Sequence, residues 1–205
     1  MKTEIARSAS AGACESFQYR KYFPYNTLKC VGAAAYRSRS ARDYACLLDL
    51  DPAVVSWECV TRPLTDRYSN RNCNGDFVAN ISEELHLVDV WDSDPGDTWW
   101  NADVARQFGY RYRAVLMPEI RKLPRFQNAK DLIRYAGYDA PLGDRIRLLA
   151  ALDEFGSLTL AECLAALRDG RPMQTMAAMI LKGYVEVDLD DALLGPETVV
   201  RRPSR

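Results

Sequence analysis

The chain has 205 residues, is 48% hydrophobic and 27% charged, and carries a formal net charge of −1 at pH 7. That length buries a full core and leaves room for a small second domain, and the composition is that of an ordinary soluble globular protein. No apolar run approaches the roughly 20 residues that cross a bilayer as a helix, so no membrane-spanning helix is expected; Met1 to Gly12 lacks an apolar signal-peptide core, so a cytoplasmic location is expected.

Residues 1 to 36 read as an irregular N-terminal arm, with Phe17, Tyr19, Tyr22, Phe23, Tyr25 and Tyr36 scattered among arginines. A first helix is predicted over 40–50, with Tyr44, Leu47, Leu48 and Leu50 inward and Asp51-Pro52 stopping it. Strand-like pieces follow at 54–58 and 63–68. Asn72-Cys73-Asn74-Gly75 is turn chemistry. Two further strands, 76–80 and 85–91, are joined by the polar Ser82-Glu83-Glu84 turn. A loop rich in Asp, Pro and Gly leads into a helix over 98–108 that Gly109 ends. An apolar strand at 112–117, a basic connection at 118–124 and a helix at 128–136 complete this part, and 138–143 reads as a linker.

The last sixty residues change character. Helices are predicted over 145–155, 160–167 and 173–181, the second capped by Ser157 or Thr159 with Glu162 in its first turn. Short strands at 184–189 and 198–202 then flank an acidic connection. Three short helices and a β-hairpin make the winged-helix arrangement. The expected fold is therefore α/β: a mixed sheet flanked by helices over 37–137, plus a small C-terminal winged-helix domain over 144–202.

Two acids carry the chemistry. Asp76 opens one apolar strand, and Asp89 lies near the end of the next. In a metal-dependent nuclease such a pair holds Mg²⁺ between adjacent strands, because this hard cation prefers carboxylate oxygens. A lysine two residues after the second acid would complete the site; here that residue is Trp91. The alternative is that both are strand-edge acids kept for turn and hydrogen-bond roles. No Cys-x-x-Cys pair occurs among Cys14, Cys30, Cys46, Cys59, Cys73 and Cys163, and His86 is the sole histidine, so structural zinc is not expected.

From Arg106 to Arg147 ten basic residues stand against four acids (Glu119, Asp131, Asp139 and Asp144). This stretch either meets phosphate or is a solvated surface with ion pairs. The candidate DNA contacts in it are Arg121, Lys122 and Arg125; in the winged helix they are Arg171, Gln174 and Lys182, since Gln can read adenine and Arg guanine. That last helix also carries Met173, Met176, Ala177, Met179 and Ile180, and its wing is acidic, so protein docking is the competing use. Of Trp99-Trp100, one is expected in the core and the other partly exposed.

Taken in order, Leu47-Leu48-Asp49-Leu50-Asp51-Pro52, Val54-Val55-Ser56-Trp57, Pro63-Leu64, Gly75-Asp76-Phe77, Leu87-Val88-Asp89-Val90, Trp99-Trp100-Asn101-Ala102, Tyr112-Arg113-Ala114-Val115 and Asn128-Ala129 resemble the TnsA-type transposon endonucleases over residues 36 to 200. The resemblance implies a restriction-endonuclease-like domain followed by a winged-helix-like one. It also implies a Mg²⁺-dependent nuclease site of four chemical positions. The family's helix glutamate falls on Ala41, its Pro-Asp on Gly75-Asp76, its second ligand on Asp89 and its lysine on Trp91. Two of the four are lost, and indole offers one neutral N–H and no charge. Removing a single preorganised electrostatic group costs about 10²–10³ in rate. The expectation is a DNA-binding protein on a TnsA-like nuclease fold, catalytically inactive, acting on double-stranded DNA in a mobile-element complex with a transposase, or as a DNA-bound regulator. It would need no cofactor, or Mg²⁺ if active. A divergent metal-dependent endonuclease subunit and a protein-interaction scaffold are the alternatives.

Overall fold

The computed structural model describes residues 26–69, 71–97, 99–122 and 124–203. Most of the expected N-terminal arm, Cys14 and five of its six aromatics lie outside the described residues. Helix α1 (Arg39–Leu50) starts where the Ser38 hydroxyl accepts the Ala41 N–H at 3.0 Å, and it ends at Asp51, ahead of Pro52. Strands β1 (Val54–Cys59), β2 (Leu64–Thr65), β3 (Asn72–Cys73), β4 (Phe77–Ile81) and β5 (Glu84–Trp91) follow. Helix α2 (Trp99–Gln107) crosses to β6 (Arg111–Leu116), with Gly109 at φ +80° making the left-handed exit that an L side chain resists.

The main sheet has the order β1-β4-β5-β6. β1, β4 and β5 run antiparallel, and β6 is parallel to β5, as a crossover through α2 requires. The β4–β5 turn pairs Ile81 with Glu84 and puts Ser82 and Glu83 at φ +50° and +69°, the double positive that closes a two-residue hairpin. Alternation along the strands sorts their side chains. Phe77, Ala79, Val88, Val90 and Val115 pack with Tyr44 and Leu48 of α1; Val78, Leu87 and Tyr112 pack with Val104 and Ala105 of α2 and with Cys73. Trp100 joins the second cluster and Trp99 is 63% exposed, as the sequence suggests.

The stretch read as a basic connection contains a one-turn helix, α3 (Met117–Ile120), and α4 (Arg125–Ile133) starts earlier than its apolar pattern implies. Then come α5 (Leu142–Phe155), β7 (Ser157–Thr159), α6 (Leu160–Ala166), α7 (Pro172–Leu181), β8 (Glu186–Val187) and β9 (Val199–Arg201). β9 lies between β7 and β8 in an antiparallel sheet. Thr159 and Glu162 form the expected reciprocal cap on α6. The strand expected from 184 shortens because the Tyr184 N–H turns back to the Met179 carbonyl at 2.9 Å and closes α7.

Two buried polar residues fix chain segments far apart in sequence. Asp49 accepts the backbone N–H groups of Leu28 and Lys29 and the Trp57 indole N–H at 2.7 Å. Residues 29–31 thereby run along β1 as an added edge segment, with bonds between Val31 and Trp57 and between Trp57 and Lys29. Asn128 on α4 donates to the Leu189 and Ala192 carbonyls and accepts the Leu194 N–H, tying the β8–β9 loop to the main domain. Leu181 of α7 packs beside Ala129, Ile133 and Cys46, so the two parts share an apolar seam. No described helix is long and apolar enough to cross a membrane.

Candidate functional site

The two acids meet. Asp76 immediately precedes β4 and Asp89 sits on β5; the Asp76 N–H donates to the Val88 carbonyl at 2.7 Å. Strand alternation points both carboxylates to the α2 side of the sheet, along with Leu87 and Tyr112. Gly75 explains one departure from the nuclease pattern. A Cβ built there would stand 2.4 Å from Leu87 Cδ1 and 2.9 Å from Leu87 Cγ, so neither proline nor any other side chain fits before Asp76 unless buried Leu87 moves.

Between the acids lies a residue that the sequence does not single out. Arg37, one residue before the α1 cap, places Nη2 at 2.9 Å from Asp76 Oδ2 and 2.6 Å from Asp89 Oδ1. Its Nη1 donates to the Asn74 carbonyl at 3.1 Å. Asp76 Oδ2 also accepts the Val90 N–H at 2.8 Å. Asp89 Oδ2 accepts the Tyr112 hydroxyl at 3.1 Å, and that hydroxyl accepts from Asn101 Nδ2, also at 3.1 Å. Trp91 lies on the same face: its buried indole N–H is near enough to favour the ionised Asp89, yet it completes no hydrogen bond of good geometry.

Electrostatics agree with the geometry. Burial pushes the Asp76 carboxyl up to about 6, against the opposing pull of Arg37 and the Val90 N–H. Burial raises Asp89 as well, again opposed by Arg37 and then by Tyr112. For Arg37 burial disfavours the cation, but the two carboxylates outweigh it and hold the guanidinium firmly charged. The cluster is two buried acids around one permanent cation.

This arrangement does not fit a divalent metal. The guanidinium takes one oxygen of each acid, the Val88 carbonyl is committed to the Asp76 N–H, and the other Asp89 oxygen is committed to Tyr112. Asp76 Oδ1 is buried and has no hydrogen-bond partner among the described residues, which leaves one uncommitted carboxylate oxygen, too few for a divalent cation. No cluster of three or more His, Cys, Asp or Glu suited to a metal occurs among the described residues. Ala41 is fully buried against the sheet core and supplies no ligand. Arginine has five donors and no acceptor, so it cannot take a proton from water. What the cluster can do is clamp the start of α1, the Asn74 turn and β5 to one another. The five described cysteines are free thiols.

The expected DNA contacts fall in two groups away from the acids. Arg121 sits 3.6 Å from buried Asp43, and Arg125 pairs with Asp190 at 2.7 Å. Lys122 lines a pocket of about 240 Å³ with Tyr44, Leu48 and Arg113, on the α1 side of the sheet. Arg171 and Lys182 flank α7 at opposite ends, about 16.5 Å apart at 1.5 Å per residue, with Gln174 half-buried between them. Lys182 is paired with Asp139.

No protein-family model matches the chain, and no curated protein matches it in sequence. Functional inference therefore rests on the residues and their geometry.

Proposed function

We propose that this chain is a DNA-binding protein built on a TnsA-like, restriction-endonuclease-like scaffold with a winged-helix-like C-terminal part, and that it binds double-stranded DNA without cutting it. It would serve a mobile-element complex, beside a transposase, or act as a DNA-bound regulator. The observation that carries the loss of cutting is Arg37: a guanidinium occupies the space between Asp76 and Asp89 where a nuclease holds its metal. Ala41 and Trp91 remove the other two chemical positions. The antiparallel β1-β4-β5 unit followed by a parallel β6, with both acids on neighbouring strands, supports the scaffold reading.

The test is incubation of the full chain with supercoiled plasmid and Mg²⁺ or Mn²⁺, alongside a salt series of duplex binding. The expected result is intact plasmid together with binding that weakens steeply as salt rises. Metal-dependent nicking that disappears in Asp76→Ala would overturn the non-cutting part, and absence of duplex binding would overturn the rest.

A further inference from the structure

The β2–β3 hairpin lies against α2, on the sheet side that also holds Asp89. Its turn is held firmly. The Asp66 carboxylate accepts the Tyr68 N–H at 3.2 Å, the Ser69 N–H at 3.1 Å and the Gln107 side-chain amide at 2.9 Å, and it bonds the Ser69 hydroxyl. Across the turn the Asp66 N–H donates to the Arg71 carbonyl at 2.8 Å. The Arg67 N–H reaches Gln107 Oε1 at 3.4 Å, so the turn is tied to the end of α2 through both halves of one amide.

This rigid turn displays an unusual surface. Tyr68 is 91% exposed, so its ring contributes nothing to the core. Arg67 stacks over the Phe108 ring at 5.9 Å, and Phe108 is itself 38% exposed. Arg67 and Arg71 are exposed and make no ion pair with any described residue. Three of the basic residues favoured by the sequence are different: Arg121 and Arg125 of the basic stretch and Lys182 after α7 are already paired with Asp43, Asp190 and Asp139. Unpaired guanidinium groups flanking a projecting aromatic ring are the chemistry of a polyanion with flat bases: phosphates meet the cations, and the ring meets a base or sugar. A two-stranded ribbon is also narrow enough to enter a groove of DNA.

We propose that the hairpin tip, Arg67, Tyr68 and Arg71, together with Phe108, is the surface by which this protein grips double-stranded DNA. It rests on the DNA-binding reading above and names the elements that do the binding. Arg67 and Arg71 contact phosphates on the two sides of a groove, and Tyr68 enters between them.

Fluorescence polarisation of a short labelled duplex with the full chain tests this over a series of salt concentrations. Arg67→Ala/Arg71→Ala should weaken binding at least about tenfold and flatten the salt slope by about two, one for each phosphate that is no longer neutralised. Tyr68→Ala, or Tyr68→Ser as a second variant, should weaken it about fivefold or more with little change in slope. All three side chains are exposed, so thermal melts should not move. Unchanged binding in these variants, with a loss in Lys122→Ala/Arg125→Ala, overturns the hairpin assignment and keeps the DNA-binding reading. Binding to single strands alone overturns the duplex assignment, and no binding by the wild-type chain overturns both readings.

Discussion

Replacing Arg37 by alanine probes the clamp that closes the acid pair. The substitution removes the cation from two carboxylates that are each 1% exposed, while the arginine side chain itself is 25% exposed. Removing one partner of a buried pair costs about 3–5 kcal/mol, and the partial exposure of Arg37 sets the loss at the lower end, about 3 kcal/mol. The loss must depend on pH. A carboxyl whose folded pKa is raised holds a proton that the unfolded chain releases, so its ionisation destabilises the fold as pH rises from the unfolded value towards the folded one. For Asp76 that window runs from 3.8 to about 6 in the wild type. Without Arg37 the window extends upward for both acids, because the opposing cation is gone. The cost should therefore be larger near neutral pH than near about pH 5, because protonating a carboxyl that has lost its cation removes its buried charge. Urea unfolding followed by tryptophan fluorescence at both pH values measures it. Adding Asp76→Asn and Asp89→Asn to an Arg37→Met background should recover much of the stability, since no buried charge is then unpaired. A loss below about 1 kcal/mol at neutral pH, or one that does not vary with pH, would refute the reasoning.

Asn128→Ala deletes three partly buried bonds to the β8–β9 loop and leaves their backbone partners without it; about 2–3 kcal/mol is expected, with new protease cleavage between 188 and 196. Gly75→Ala forces a methyl into Leu87 and should cost about 1–3 kcal/mol in a thermal or urea melt, without changing net charge. Asp144 is buried, which disfavours its charge, but the N–H groups of Arg168 and Asp169 and the Arg147 guanidinium more than compensate and lower its pKa. Its stabilisation is therefore present above the ordinary carboxylate range and fades as pH falls through the lowered value; Asp144→Asn should lose stability at neutral pH and converge on the wild type in acid. Trp57 shares Asp49 with Leu28 and Lys29, so Asp49→Ala should lower amide-exchange protection at Val31 and Trp57 together, whereas an unchanged Val31 amide would show that the edge segment is held by other interactions.

Local chemistry made much of this fold legible. Thr159 caps where a hydroxyl precedes a helical pattern, Gly109 ends α2, and alternating strands put Asp76 and Asp89 side by side. Some boundaries moved: α4 starts at Arg125, ahead of Phe126, which packs into the main core, and the strand expected from 184 shortens because the local bond from the Tyr184 N–H to the Met179 carbonyl closes α7. The basic stretch could be counted in sequence, but not which of its charges were already paired, because Asp43 and Asp190 reach Arg121 and Arg125 only in the folded chain.

The sequence by itself determined the longer helices and strands in their order and the two carboxylates on neighbouring strands, because propensity, capping and strand alternation act over a few residues. Only the tertiary structure decided what those carboxylates do. Arg37 lies 39 residues from Asp76 and 52 from Asp89, and nothing in the residues beside it announces a partner. The path of the chain brings its guanidinium between them, and burial then makes the interaction strong, since two carboxylates removed from water require a cation. The same holds for the hairpin tip: Arg67 and Tyr68 fall at the end of a strand-like stretch in the sequence, but the strand stops at Thr65, and the turn that follows is tied to α2 and leaves the tyrosine in solvent.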